Sequence, residues 1–303
     1  MYHKGKTVAE IGLMDKEFDA LNLLRNEYFH STTAKLAHAI TENHERIRLF
    51  CWNFDRDYKP RKLREDKINL IKEFSPDIVL LQECTYDDCI RLKSNFIHSV
   101  WYGDGKDSLR GIGIFSNEWF FELHPSHSYA VPFRYVVPYL AKKDNMQFTL
   151  FHVWTKYKLY DELSRNQDGF YNLEYTANIV SAIDFYKDLL VSPVIIAGDF
   201  NSGETPTVRD DGYAEAVEKL EKLNIFNCTT LYGCDKRFEM MPTYYARHDL
   251  DEKGYVDDYC FTSINEYNTI IPSVISIGKP EKWIHYSDHV PLLIDIDYKI
   301  MER

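Results

Sequence analysis

The sequence predicts an α/β domain, and three observations carry that expectation. From Arg46 onward, apolar runs of strand length alternate with amphipathic runs of helix length. Several of the apolar runs have no polar face, the mark of strands covered on both sides. No segment rich in Pro, Gly or Ser divides them, so the 303 residues read as one large α/β or two-sheet domain rather than two average ones. With 45% hydrophobic and 27% charged residues the chain has an ordinary globular balance, which excludes a disordered protein. Its 13 Gly and 11 Pro exclude a collagenous or low-complexity one.

Residues 1–46 differ from the rest. Asp15 can cap a helix carrying Phe18, Leu21 and Leu24, and Ser31 can cap a second one carrying Leu36 and Ile40, so a helical N-terminal extension is expected ahead of a domain over 47–303. Helices this short are marginal alone, so the extension should dock on the domain or on a partner. IRLFCWN (47–53) reads as a strand. KLREDKINLIKEF (62–74) reads as a helix with Leu63, Ile68, Leu70 and Ile71 on its apolar side, ended by Ser75-Pro76. DIVLLQE (77–83) is a buried strand. GIGIFS (111–116), YVVPYLA (135–141) and FTLFHVW (148–154) follow as strands, the last two joined by the turn KKDN. NLEYTANIVSAIDFYKDLL (172–190) is a long amphipathic helix and PVIIAG (193–198) a strand without a polar face. GYAEAVEKLEKLNIF (212–226) is a further helix, and YVDDYCFTS (255–263), SVISIG (273–278) and VPLLIDI (290–296) complete the strands.

Charge and cysteine content narrow the class. The formal net charge of −11 argues against a protein held to nucleic acid by a basic surface, but not against an enzyme that meets phosphate through bound cations. The six cysteines form no CxxC pair and no zinc-spaced cluster, so free thiols in a reducing compartment are expected. The N-terminus has lysines with no apolar run behind them, and no uncharged apolar stretch approaches bilayer length. A cytoplasmic protein without membrane contact is the expectation.

Several apolar strands end in polar residues that burial alone does not ask for. LFCW ends in Asn53, IVLLQ in Glu83, and PVIIAG runs into Asp199, Phe200 and Asn201. Asp288 and His289 stand just ahead of VPLLIDI. Each taken singly can cap a turn. Together, carboxylates and an Asn on one rim suit a hard cation such as Mg²⁺ or Mn²⁺. A His beside an Asp suits a charged pair that holds a phosphoryl oxygen.

WN at 52–53, LQE at 81–83, FHVW around His152, GDFNS at 198–202, DDYCF at 257–261 and SDH at 287–289 stand in the order of the endonuclease/exonuclease/phosphatase superfamily, which the chain resembles from about Ile47 to about Ile296. The resemblance implies a four-layer fold, a two-sheet β-sandwich flanked by helices. It implies a metal-dependent phosphoesterase, most simply a nuclease or phosphodiesterase that uses an activated water. By the same resemblance Glu83 corresponds to the principal Mg²⁺ or Mn²⁺ ligand, with Asn53 and Asp288 completing the sphere. Asp199 corresponds to the carboxylate that orients or deprotonates the water, and Asn201 to an amide that holds phosphate and water. His289 corresponds to the histidine on a phosphate oxygen, Asp258 to the carboxylate that orients it, and His152 to a second phosphate-facing histidine. Asp258 is chosen over its neighbour Asp257 from the following Tyr259; alternation along a strand sends the other to the opposite face. A half-buried strand histidine is the plain alternative for His152.

Other segments have equal alternatives. The basic and aromatic residues of 155–172 suit a nucleic-acid strand or a solvated loop, and MPTYY (241–245) suits a groove wall or core packing. Glu215, Glu218, Lys219, Glu221 and Lys222 read as a solvated helix face. The partners expected are nucleic acid or another phosphoester, with a protein partner or internal docking for residues 1–46. A phosphatase of a small phosphorylated molecule or lipid headgroup is the alternative function, as is a non-catalytic binding protein on the same fold. The PAWCDR-type segment of the inositol phosphatases is replaced here by YVDDYCF.

Overall fold

The structure is a computed structural model that describes residues 19–33, 45–55, 61–103, 111–125, 133, 135–155, 179–203, 212–229, 241–264 and 268–300. Its strands are β1 (Phe29–Thr33), β2 (Glu45–Asn53), β3 (Ile78–Gln82), β4 (His98–Gly103), β5 (Gly111–Ser116), β6 (Phe120–Leu123), β7 (Val136–Lys143), β8 (Met146–Trp154), β9 (Val194–Asp199), β10 (Ile225–Asn227), β11 (Asp258–Ser263), β12 (Asn268–Gly278) and β13 (Leu292–Ile300). The helices are α1 (19–28), α2 (Arg61–Glu73), α3 (Tyr86–Lys93), α4 (Ile179–Tyr186), α5 (Tyr213–Glu221) and the short α6 (Pro280–Trp283). One sheet has the order β1-β12-β13-β2-β3-β5-β4 and the other β10-β11-β9-β8-β7-β6. This is the α/β two-sheet sandwich with helices outside.

The two parallel pairs set the plan. β2 pairs parallel with β3 and β8 with β9, and the chain between each pair includes a helix, α2 and α4 respectively. Parallel neighbours need such a crossover. It also covers the outer face of each sheet, which is why β2 and β9 have no polar face. Phe50 and Trp52 of β2 meet Phe74 and Trp283 outside, while Leu49 and Cys51 are buried beside them at 0% and 1% exposure. On the other sheet Phe151, Val153, Val194 and Ile196 pack with Ile183 of α4 and Leu220 of α5 in a second cluster. β7 and β8 form a hairpin closed at Lys143↔Met146, with Asp144 at φ 50° in the turn expected from KKDN.

The N-terminal segment corrects one expectation. No helix starts at Ser31: Phe29–Thr33 is an edge strand, antiparallel to β12, and the Ser31 hydroxyl hydrogen-bonds across it to Ser276 Oγ at 2.9 Å. Leu21 and Leu24 do lie in a helix, α1. Asp15, Phe18, Leu36 and Ile40 lie outside the described residues. α1 docks through Arg25, whose guanidinium donates to Asp295 Oδ2 at 2.6 Å, Ser276 Oγ at 2.8 Å and the Leu293 carbonyl at 3.2 Å. Arg48 donates to the other Asp295 oxygen at 2.8 Å.

The expected helix over 212–226 is also shorter. α5 ends at Glu221, Asn224 turns the chain at φ 58°, and Ile225–Asn227 pairs with β11. An Asn tolerates this left-handed conformation and so ends the helix. Of the 172–190 helix, α4 and the 3₁₀ turn Lys187–Leu189 are described. β4 and β6, edge strands with half-exposed patterns, were not expected from periodicity.

The Arg25–Asp295 pair generates a stability prediction. Burial alone would raise the Asp295 carboxyl, but hydrogen bonds from Arg48 and the charges of Arg25 and Arg48 outweigh it and hold the group below its ordinary value. That contribution is complete above the unfolded carboxylate value and is lost as pH falls through the lower folded one. Arg25→Ala should cost about 1–3 kcal/mol in urea unfolding at pH 7, because it removes one of the two guanidinium partners of a buried carboxylate and leaves Arg48 alone on it. The deficit should shrink below pH ~4. A deficit independent of pH would assign the loss to packing instead.

Candidate active site

Topology brings the polar strand ends to one edge of the sandwich. β2 ends at Asn53, and its parallel neighbour β3 ends at Gln82, one residue before Glu83. β9 ends at Asp199, and antiparallel β11 begins at Asp258, directly opposite it. β13 is antiparallel to β2 and starts opposite Cys51, so His289, three residues before it, reaches the same edge. The Gly of GDFN is required here. Gly198 has φ 149°, and a Cβ on it would lie 1.8 Å from the Val153 carbonyl oxygen of β8.

The contacts form one network. His289 Nδ1 donates to Asp258 Oδ2 at 2.8 Å, and His289 Nε2 lies 4.0 Å from Asp199 Oδ2. Asp199 Oδ2 accepts from Asn53 Nδ2 at 2.9 Å, and Asp199 Oδ1 accepts from the Asn201 amide at 2.8 Å. Asn53 Nδ2 also approaches Glu83 Oε1 at 3.4 Å. The Asn201 side-chain amide donates to the Thr155 carbonyl at 3.0 Å. A second layer fixes these groups. Thr243 Oγ1 accepts from the backbone N–H of both Asp257 and Asp258 at 3.0 Å, Trp52 Nε1 donates to the His289 carbonyl at 2.8 Å, and Ser287 Oγ donates to the Asn53 carbonyl at 2.8 Å. Glu83, Asn201 and Asp55 all have positive φ, at 49°, 47° and 43°. Such conformations cost on the order of 1–3 kcal/mol each and gather at functional sites.

Burial makes this network electrostatically tense. Asp199 is 0% exposed, Asp258 4% and His289 5%. Desolvation first, then the charges of Asp258 and Asp257, raise the Asp199 carboxyl well above its ordinary value, against the pull of His289. Desolvation works to lower His289, but Asp258 and Asp199 outweigh it and hold the imidazole well above its ordinary value. The two aspartates thus favour the charged form of the imidazole. Asp288 is raised by burial and by Asp55, with His289 and His248 opposing.

The structure thus brings Asn53, Glu83, Asp199, Asn201, Asp258 and His289 together, with Asp288 adjoining through His289. Of the two neighbouring aspartates it is Asp258 that holds the imidazole. His152 is corrected. It sits at 0% exposure in mid-β8, opposite Ala197 and not at the strand end. Gln82 Nε2 donates to its Nε2 at 2.8 Å, and burial lowers the imidazole to about 3. The ring is enclosed, and its Nδ1 is buried with no hydrogen-bond partner among the described residues. Its place is beneath the site, on Gln82, the residue before Glu83. Thr243, Gln82, Asp55, His248 and Lys67 were not singled out from the sequence. Lys67 had a usable signal, since it stands between Leu63 and Ile71 on the apolar stripe of α2.

Candidate cation donors at this edge are of two kinds. Ligand atoms of Asp199, Asp258 and His289 lie within 4.8 Å of one another, the one such His/Cys/Asp/Glu group among the described residues. There the imidazole already hydrogen-bonds Asp258 and faces Asp199 at 4.0 Å, which leaves its Nδ1 no part in binding a cation. Glu83, Asn53 and Asp288 offer oxygen donors without thiolate or imidazole. That chemistry fits Mg²⁺ or Mn²⁺, which keep several waters and need only one or two carboxylates.

No protein-family model matches the sequence, and no curated protein does. Solved structures match its fold. The D. rerio TDP2 complexed with single strand DNA product has a TM-score of 0.52 at 14% identity, over 84% of this chain and 99% of that one. The endonuclease domain of TRAS1, a telomere-specific non-LTR retrotransposon, gives 0.52 at 14%, over 83% and 98%. An endonuclease/exonuclease/phosphatase family protein from Bacteroides thetaiotaomicron gives 0.52 at 14%, over 86% and 100%. The chain has the fold of the endonuclease/exonuclease/phosphatase superfamily.

Proposed function

We propose that the protein is a Mg²⁺- or Mn²⁺-dependent phosphoesterase that hydrolyses a phosphodiester, with nucleic acid as the substrate class. The observation that carries this reading is the buried imidazole of His289, fixed by Asp258 and directed toward Asp199 at one edge of the sandwich. Two solved structures of the same fold supply the substrate class: one holds a single strand DNA product and the other is an endonuclease domain.

Each group has a role its surroundings support. Glu83, with Asn53 and Asp288, would hold the cation, which when bound offsets charge on the phosphate oxygens. Asp199 takes a proton from the attacking water; its raised value makes it a stronger base than an ordinary carboxylate once ionised. His289 donates Nε2–H to a nonbridging oxygen, where charge builds in the transition state. Asp258 keeps that imidazole protonated and aimed. Asn201 positions water and phosphate through its amide. His152 supports Gln82 and, through it, the turn at Glu83. The described cysteines are free and buried, which fits a reducing compartment such as the cytoplasm. No helix among the described residues is long and apolar enough to cross a membrane.

Activity on a single-stranded oligonucleotide and on bis-p-nitrophenyl phosphate should require divalent metal and disappear after EDTA treatment. Turnover that survives removal of metal would end this reading. Glu83→Gln should weaken metal affinity and slow turnover together. Asp199→Asn and His289→Ala should each lower kcat about 100- to 1000-fold.

The pH–rate profile should be bell-shaped. Activity rises as Asp199 ionises, on a limb displaced above the ordinary carboxylate range by burial. It falls as His289 loses its proton, on a limb displaced above the ordinary histidine range by Asp258 and Asp199. Asp258→Asn removes one of those charges and should move the alkaline limb to lower pH. An unmoved limb would show that Asp258 does not set the charge of His289.

A further inference from the structure

The carboxylates of this edge fall into two halves. Asp199 and Asp258 share the imidazole of His289. Asp55 and Asp288 stand on the other side, and Asp55 raises the Asp288 carboxyl. Beneath them lies Lys67 of α2, 1% exposed. Its ammonium donates to the Phe54 carbonyl at 2.5 Å and sits 4.6 Å from the ring centre of Phe54 and 5.4 Å from that of Trp52. A lysine is almost never enclosed this way unless its charge is met.

The charges that meet it are identifiable. Asp55, Asp88 and Asp288 face it as carboxylates and Arg64 as a cation. Asp88 is committed elsewhere. Its Oδ2 accepts from the Thr85 amide and hydroxyl at 3.1 and 2.6 Å, and its Oδ1 lies 3.4 Å from Arg64. Asp55 and Asp288 are the other two carboxylates whose charge acts on Lys67, with Asp55 the strongest of the three. Burial lowers the ammonium to about 8, so it is still mostly charged at neutral pH. Lys67 is also tied to the metal-facing chain itself. It holds the carbonyl of Phe54, while the Asp55 amide donates to Asn53 Oδ1 at 3.1 Å. His248 completes the arrangement from a separate loop. Its Nε2 is 3.1 Å from Asp55 Oδ2, and its Nδ1 donates to the Ile284 carbonyl at 2.6 Å.

We propose that Lys67 is a built-in cation of the metal-binding rim, which balances Asp55 and Asp288 and so sets how tightly a divalent ion binds there. The proposal rests on the metal-dependent reading above. Lys67 is a positioning residue: it acts through Asp55, Asp288 and the Phe54 carbonyl and does not touch substrate. A divalent ion that enters the rim meets a fixed positive charge, and its affinity is held down accordingly.

The test is Mn²⁺ binding to the full chain, followed by electron paramagnetic resonance of the free ion at pH 7 and fixed ionic strength. Lys67→Met removes the charge and fills the space. Lys67→Gln removes the charge and keeps an N–H donor for Phe54. Thermal unfolding checks that each is folded, and Lys67→Gln decides if the Met variant is not. The charge-free variants should bind Mn²⁺ about fivefold more tightly or better, from Coulomb repulsion between a unit charge and a divalent ion under strong screening. Lys67→Arg should stay near wild type. Purely structural damage would weaken binding, so tightening separates the two. Equal or weaker binding by both charge-free variants overturns the proposal while the metal reading stands. A wild-type chain that binds no Mn²⁺ overturns the metal reading and this proposal with it.

Discussion

A buried imidazole set against two buried carboxylates is the constraint around which this edge of the molecule is built. Asp199 and Asp258 face each other across the β9–β11 register, both nearly free of solvent. Two such carboxylates cannot both ionise at close range unless a cation lies between them. His289 supplies it, and the fold fixes His289 from several directions: Asp258 at Nδ1, Trp52 at its carbonyl, and Ser287 at its amide. Ser287 in turn holds the Asn53 carbonyl, so the residue that donates to Asp199 and the residue that neutralises it are tied to one serine.

The second half of the edge uses the same physics with looser geometry. Glu83 and Asp288 retain partial exposure, whereas Asp199 and Asp258 do not. A dry clamp and a wetter carboxylate rim are thus set side by side. That division suits phosphoester chemistry, in which a water must be deprotonated within reach of a hydrated cation. The positive φ angles of Asp55, Glu83 and Asn201 turn the chain just beyond the ends of β2, β3 and β9. The parallel pairing of β2 with β3 and β8 with β9 pays for that strain elsewhere, through strands buried on both faces.

The legible parts of the sequence were those where a polar residue interrupts a run that has no other reason to stop. β2, β3 and β9 were visible because both of their faces are covered, and Asn53, Glu83 and Asp199 because they end those strands. The choice of Asp258 over Asp257 followed from the Tyr259 after it, by the family resemblance, and the hydrogen bond to His289 agrees with it. His152 was misplaced because a polar residue inside an apolar strand looks alike at the rim and in the interior; only the register opposite Ala197 separates the two. Ser31 was read locally as a cap, but its partner Ser276 is 245 residues away. β10 was absorbed into a helix because three residues carry no period of their own. Lys67, despite its place on the apolar stripe of α2, and His248 were missed for different reasons. One stands on a helix where lysine usually points to solvent, and the other arrives from a loop whose position depends on the completed fold.

The central claim is that this edge directs a water onto a phosphodiester. Cleavage of a single-stranded oligonucleotide in water enriched in oxygen-18, with Mg²⁺ and the wild-type chain, tests it most directly. The account predicts one solvent-derived oxygen in the terminal phosphate of the product, detected by mass spectrometry, and none with Asp199→Asn. Cleavage that leaves the product phosphate without solvent oxygen, or an unlabelled and intact oligonucleotide at every metal concentration, would contradict it.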